Sequence, residues 1–409
     1  MDNPVEAPQR GLNILQVGGL AGPGAAAGGV WAVARTQRAA LADLGENVEL
    51  VGGWLGRVPA AADSGSGTDR DPATLFRVRR PFPGARLRGL VSVRLPRYVA
   101  ARAASVDVVQ MHLCRDFITT AATVLLRRSN TAVIAQSHGM LVPSRSLLIR
   151  IYDALITRRL IRVPRLWLTL TEDEERGLQQ LGVDPARMRR VVNAAAAAEH
   201  RWSDPEQQVY LFAARLAARK QPAVFVQAAL EALDRGLDAR FVLAGPDQGE
   251  AAGIRELIAA SAHAGRFQLL GELSPAQVQS AMAACTAYVL PALKEPYPMS
   301  VIEAAAVGTP LIVTAQCGLA ADLAEGEAAL LPEPTAEAFC EAMLELSNDP
   351  VRRAQLGSNA RRVHQRLWST QSLAADLRKL CLEAVEETDG SAAGTIRAVG
   401  PVQPKGGRS

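Results

Sequence analysis

Lys294–Ala304 reads KEPYPMSVIEA and follows the apolar run Ala287–Leu290 (AYVL). Consecutive apolar residues without alternation suit a strand covered on both faces, as in a parallel sheet. Pro296 and Pro298 keep the intervening chain out of helix, and a helix is expected to begin around Ser300. This order places Glu295 near the carboxyl end of a strand and Glu303 in the first turn of the helix. Open α/β sheets bind ligands at that edge, and the free amides of a helix N-terminus favour phosphate. Ser300-Val301-Ile302-Glu303 also has the form of a capping box, in which Glu303 serves only its own helix. The spacing is compatible with either role.

The same alternation extends in both directions. Strands are expected at Asn13–Val17, Asn47–Val51, Asp107–His112, Ala132–Gln136, Leu166–Thr171 and Arg190–Asn193. A second series falls at Val209–Ala213, Arg240–Ala244, Phe267–Leu270, Ala287–Leu290, Pro310–Val313 and Ala328–Leu331. Stretches with helical apolar spacing separate them, such as Val30–Leu44 and Ala223–Arg235. The fold class is therefore α/β, with two doubly wound, Rossmann-like domains. The join is expected near Ala194–Pro205, giving domains 1–200 and 201–364. A C-terminal helix at 365–387 is expected to pack back towards the first domain. Residues 388–409 are poor in apolar side chains and read as a disordered tail, and Ala60–Pro72 as a flexible surface loop.

The 409 residues are 48% hydrophobic and 21% charged, the composition of a globular protein. No run of about 18 uncharged apolar residues suggests a membrane span, and no basic-then-apolar leader opens the chain. Five cysteines without a CxxC pair argue against a disulfide framework or structural zinc, so a reducing cytoplasm is expected. Charge is uneven. Between Arg77 and Arg165, 17 arginines face only Asp107, Asp116 and Asp153. Either the composition is simply arginine-rich, or this half meets an anionic partner.

Val209–Pro222 (VYLFAARLAARKQP) closes a strand and then presents Arg215 and Lys220. Two cations at a strand's carboxyl end can clamp a diphosphate, arginine as a fork and lysine as a point charge. Arg219 reads as a solvated basic turn.

Together these segments resemble the family-4 glycosyltransferases, retaining enzymes of the GT-B fold, which implies that the two Rossmann-like domains face a cleft. The likeness covers nearly the whole chain and is strongest from Val209 to Leu331. It implies that Arg215 and Lys220 grip the diphosphate of a nucleotide sugar, that Glu295 lies by the donor sugar, and that Glu303 binds ribose. Phe241–Asp247 (FVLAGPD) resembles the family's strand-and-glycine turn, and Leu269–Leu273 (LLGEL) the turn at the nucleobase. Leu273, Tyr297, Pro298, Met299 and Ser300 are then donor-binding residues. The family often has glycine at Pro298 and uses its amide. Proline has none, so the amides of Met299 and Ser300 must serve instead.

Gly18–Gly29 (GGLAGPGAAAGG) contains a G-x-G-x-x-A match, the mark of a rival NAD-dependent enzyme. The loop reads as too long for that turn, and Glu49 lies inside its strand rather than after it. The resemblance implies instead that Gly28 and Gly29 open the first helix beside a phosphate. Gln136-Ser137-His138-Gly139 closes a strand, and the family often sets a histidine there against the donor sugar, so His138 joins the catalytic candidates Arg215, Lys220 and Glu295. His112 reads as structural. The triplet Asp69–Asp71 lies in the polar loop, no strand-flanked carboxylate pair suggests a metal, and none is expected; nor is any other cofactor.

The expected activity is metal-independent, retaining hexosyl transfer from a nucleoside-diphosphate sugar to a lipid-linked or saccharide acceptor, in cell-surface polysaccharide or glycolipid synthesis. No nucleic-acid partner is expected. The arginine window suggests peripheral binding at the inner face of the plasma membrane. Arg86, Arg88, Arg94 and Arg97, interleaved with Leu87, Leu90, Val91 and Leu95, form the expected contact, with Pro96 interrupting any long helix. The alternative reading is a catalytically weak nucleotide-sugar-binding partner subunit.

Overall fold

A computed structural model of the chain describes residues 10–21, 28–56, 58, 73–81, 89–144 and 146–396. Two compact units divide it: residues 1–191 with 374–409, and residues 192–373. The change of unit comes nine residues before the expected end of the first domain at 200, because the alanine run Ala194–Ala198 already belongs to the second unit.

The first unit holds seven strands: β1 (Asn13–Ala21), β2 (Asn47–Leu55), β3 (Thr74–Val78), β4 (Val108–His112), β5 (Ala132–Gln136), β6 (Leu166–Thr169) and β7 (Met188–Arg190). Their order is β3-β2-β1-β4-β5-β6-β7, with every neighbouring pair parallel. Strand order reverses between β1 and β4, the topological switch point. The second unit holds β8 (Gln208–Ala213), β9 (Ala239–Ala244), β10 (Phe267–Gly271), β11 (Ala287–Leu290), β12 (Leu311–Val313) and β13 (Ala329–Leu330). Their order is β10-β9-β8-β11-β12-β13, again parallel, with the switch point between β8 and β11.

Strands β4, β5, β6 and β11 are buried along their whole length, as expected where both faces of a parallel sheet are covered. Edge strand β3 has no unbroken apolar run to mark it: Thr74 and Arg77 are exposed and only Val78 is buried. β7 lies two residues before its expected position. β1 runs on through Gly18–Ala21 instead of stopping at Val17, so only residues 22–27 separate it from the helix Gly28–Asp43. The reason is Trp31. A Cβ at Gly18 would stand 2.6 Å, and one at Gly52 2.5 Å, from its ring, so these strand glycines admit an indole rather than a phosphate. Gly22–Ala27 and Ala60–Pro72, with Asp69–Asp71, lie outside the described residues.

Four glutamines meet inside the first unit, all fully buried. Gln37, on the helix, donates to Gln136 Oε1 (2.9 Å) and accepts from Gln110 (2.7 Å) and Gln16 (3.3 Å).

The last helix is Thr370–Ile396, nine residues longer than the expected end at 387, which corrects the reading of a tail from 388. From Ala374 it belongs to the first unit. It buries Leu377, Cys381 and Ala384, and it pairs Arg378 with buried Glu46 (2.6 Å) and Glu383 with Arg189.

Candidate active site

Every residue singled out in the second unit follows the carboxyl end of a strand. After β8, the chain turns through Arg215 into a short 3-10 turn, Ala218–Lys220. After β11, Lys294 takes a left-handed conformation (φ 47°) and delivers Glu295. The two segments flank the β8/β11 switch point, where Lys220 Nζ and Glu295 Oε2 meet at 3.0 Å, both side chains 9% exposed. Arg219 reaches the same oxygen at 3.1 Å. The basic turn read as solvated therefore supplies a second partner for Glu295. Burial presses the Lys220 ammonium below its ordinary value, while Glu295 acts in the other direction. Arg215 is exposed and adds repulsion on Lys220. The cluster thus concentrates three cations around one carboxylate, a surplus of positive charge at the mouth of the sheet.

The helix Met299–Val307 starts beside it, with Pro298 as the N-cap and no side-chain cap. Met299 and Ser300 are its first two residues, so their amides have no intrahelical acceptor. Ser300 Oγ is hydrogen-bonded to Tyr288 (2.7 Å), whose hydroxyl also donates to Ala213 O (3.2 Å). Ser300 is therefore inside the helix and engaged elsewhere, and the capping-box reading of Ser300–Glu303 fails. Glu303 has no hydrogen-bond or ion-pair partner among the described residues, and burial raises its pKa above the ordinary carboxylate range. Tyr297 donates to Asn193 O (3.1 Å), and Leu273 is half-buried against the core beyond β10.

Two glycines set the closeness of these turns. Gly245 (φ 139°) sits so near the chain after β8 that a Cβ would lie 2.0 Å from Ala214 O. Leu216 and Gln248 then exchange backbone bonds across it with Pro246 and Leu216. Gly318 donates to Glu295 O (2.9 Å), and a Cβ there would lie 1.9 Å from Pro296 O. The sequence reading passed over Gly318; the tight contact joins segments after two different strands and leaves no local signature. Asp247 accepts from the amides of Gly249, Glu250 and Ala251, which lowers its pKa and fixes the start of the helix Ala251–Ala259.

In the first unit, His138 follows β5 with φ 51°, and its Nε2 lies 2.7 Å from Nδ1 of His112, which ends β4. The rings stack at 5.0 Å. Burial pushes His138 down to about 4 and His112 well below its ordinary value, so both are neutral near pH 7 and one proton bridges them. His112, read as merely structural, is thus the group His138 rests on. Buried Glu174 holds the turn, accepting from Ser137 Oγ, Gly139 N (2.8 Å) and Leu170 N (2.8 Å). It too was missed, hidden in the acidic run Glu172–Glu175 that reads as a solvated helix start. Gly28 and Gly29 open their helix as expected, and a Cβ at Gly29 would meet nothing within 4 Å.

Comparison with known proteins agrees with this architecture. Residues 28–194 match the glycosyl transferase 4-like domain, and residues 197–363 match glycosyl transferases group 1. The chain belongs to the family-4-type glycosyltransferases. Family members with similar sequences include a D-inositol 3-phosphate glycosyltransferase of Rhodococcus opacus, 27% identical over 48% of each chain. Another is a 2-deoxystreptamine N-acetyl-D-glucosaminyltransferase of Niallia circulans, 32% identical over 34% of this chain and 36% of that one. The chain spans about half the length, or less, of the curated relatives it matches. Its GT-B fold is shared with Anabaena HepE in complex with UDP, at TM-score 0.70 and 14% identity over 91% of this chain and 100% of that one.

The arginine window needs correction. Leu90 and Leu95 are core residues (2% and 0% exposed), so neither can enter a headgroup layer. Arg86, Leu87 and Arg88 lie outside the described residues. Pro96 falls in the first turn of the helix Arg94–Ala103, where proline is tolerated. Arg102 pairs with Glu49, and buried Arg115 pairs with Asp153 through Nε–Oδ1 (2.8 Å) and Nη2–Oδ2 (2.9 Å). The exposed apolar face lies later, on the helical segment Leu147–Leu160, where Leu147, Leu148, Ile151 and Leu155 are 47–79% exposed.

Proposed function

We propose that this chain transfers a hexosyl group from a nucleoside-diphosphate sugar to an acceptor hydroxyl with retention of configuration, its second unit binding the donor. The observation that carries this reading is the nearly buried Lys220 at the β8/β11 switch point, facing Glu295 beside an uncapped helix N-terminus. Departure of the diphosphate concentrates negative charge. Lys220 and the amides of Met299 and Ser300 are fixed before the reaction, so they stabilise that charge without reorganising, and the exposed Arg215 adds its charge beside them. Glu303, free and partly desolvated, suits the ribose hydroxyls. Glu295 keeps Lys220 charged and orients it, and lies by the sugar. Front-face attack with the leaving phosphate as base accounts for retention. Cationic side chains take the place of a metal, so activity should survive excess chelator; abolition with rescue by Mg²⁺ or Mn²⁺ would overturn that part.

The proposed acceptor is a saccharide or lipid-linked saccharide of the cell surface, reached from the cytoplasmic side. The exposed stripe Leu147, Leu148, Ile151 and Leu155, flanked by Arg150, Arg158 and Arg159, supports peripheral docking on anionic lipid.

Thermal shift against UDP-, GDP- and ADP-sugars, followed by turnover of the stabilising donor, tests the function. Lys220→Ala should lower transfer about 10²-fold, comparable with removing one oxyanion donor. Glu303→Gln should weaken donor binding with little change in Tm. Donor binding without transfer to any saccharide would favour the partner-subunit reading.

A further inference from the structure

The amino edge of the first sheet carries a cavity that the proposed transfer does not use. Its volume is about 840 Å³, and its wall includes Arg127, Arg159, Arg162, Arg165 and Arg187 with one carboxylate, Glu387. Topology explains the convergence. Arg165 immediately precedes β6, Arg187 immediately precedes β7, and Arg127 ends the helix that leads into β5. His138 sits at the other end of β5, and a five-residue strand separates the two edges by about 16 Å.

Five guanidinium groups round one space repel each other unless something anionic joins them. Among the described residues none of the five forms an ion pair. The hydrogen bonds shown are to carbonyl oxygens: Arg187 Nε to Arg165 O (3.0 Å) and Arg159 to Leu155 O (3.2 Å). Glu383, on the same last helix as Glu387, is already taken by Arg189. The sequence from Asp389 to Ser409 offers one acid against three bases, Arg397, Lys405 and Arg408. Burial lowers the Arg187 pKa, Asp184 and Glu387 act against this, and Arg165 adds to it.

We propose that this cavity is a second anion site that binds a multiply charged phosphate group, apart from the donor site. Planar guanidinium forks match phosphate oxygens two at a time, and a cavity of this volume admits a di- or triphosphate but also a lipid headgroup. The source is either a soluble phosphorylated compound or an anionic phospholipid.

The probe is inorganic tripolyphosphate, titrated calorimetrically into the full chain. Because the donor site also attracts phosphates, the same titration is made with Lys220→Ala. Binding should persist in Lys220→Ala, fall with salt, and weaken at least about tenfold in R127Q/R162Q/R165Q, which keeps a polar side chain at each position but loses charge. R162K/R165K, gentler on folding, should weaken binding less than the glutamine set. Vesicles of phosphatidic acid and of phosphatidylcholine form the second arm. A headgroup source requires that phosphatidic acid vesicles bind, that tripolyphosphate displaces them, and that R127Q/R162Q/R165Q abolishes their binding. A soluble source requires tripolyphosphate binding with vesicle binding unchanged in that variant. Loss of tripolyphosphate binding in Lys220→Ala, equal binding in the cavity variants, or no binding of either probe at low salt would overturn the site.

Discussion

His138 is a bulky residue held in left-handed backbone and pressed against a second imidazole. In the unfolded chain both histidines take up protons near pH 6.5; in the folded chain burial delays that to about 4 for His138. The unfolded state therefore binds more protons throughout that window, and stability falls as pH drops from about 6.5 to about 4. A Tm profile should decline across this range, and His112→Asn should flatten the decline; an unchanged slope would remove the pair as its source. Residues of this kind were only partly legible in the sequence. Lys220 and Glu295 stood out because each follows a strand that could be recognised. Arg219, Glu174 and His112 did not, since each looks like ordinary surface or turn chemistry until a distant segment supplies its partner.

Among elements, the loop Lys294–Pro298 depends on its neighbour after β12. Gly318→Ala would drive a methyl into Pro296 O, and since the atoms it meets are all backbone the loop must move. The expected cost is about 1–3 kcal/mol, as for overpacking, with transfer reduced at least tenfold because Glu295 moves with the loop. Gly253→Ala is the control: it lies inside a helix with nothing within 4 Å of the new methyl, and should stabilise by about 0.5–1 kcal/mol. Equal effects in the two variants, measured by denaturant unfolding and by transfer rate, would refute the special role of Gly318. Elements buried on both faces were readable from apolar runs. β3 was not, because its partial exposure breaks the run, and the length of β1 was not, because its Gly18 serves a tryptophan 13 residues away.

At the scale of the molecule, the first unit is assembled from two separate pieces of chain, and the second is continuous. Residues 192–373 alone should fold and be stabilised by the nucleoside diphosphate of the preferred donor. Residues 1–191 alone should not fold cooperatively, because Glu46 would lose Arg378, and the face that covers Leu377, Cys381 and Ala384 would be bare. Adding a peptide of residues 374–396 should restore a cooperative transition in circular dichroism. A cooperative melt for 1–191 without it would contradict this division. The double-unit plan was visible in the alternation of strands and helices, whereas the reach of the last helix to Ile396 was obscured by Gly390 and Gly394, poor helix formers that the sequence weighs against it.

The glutamine cluster bears on how the first sheet finds its pairing. Gln16 faces Gln110 across β1 and β4, and Gln37 ties both to Gln136 on β5. A slip of two residues would keep the apolar pattern intact but set Gln16 opposite Val108 or His112. Each amide stranded in this way costs about 1–3 kcal/mol, a penalty that runs of valine and isoleucine cannot impose on each other. The amides thus act as a key that rejects misaligned strands during collapse, not only as bonds in the finished core. Gln37→Leu removes the hub. Its refolding after dilution from urea should become multiphasic, with a slow phase from chains that must unpair and try again, while a single-exponential trace matching the parent chain would show that alignment is achieved by other means.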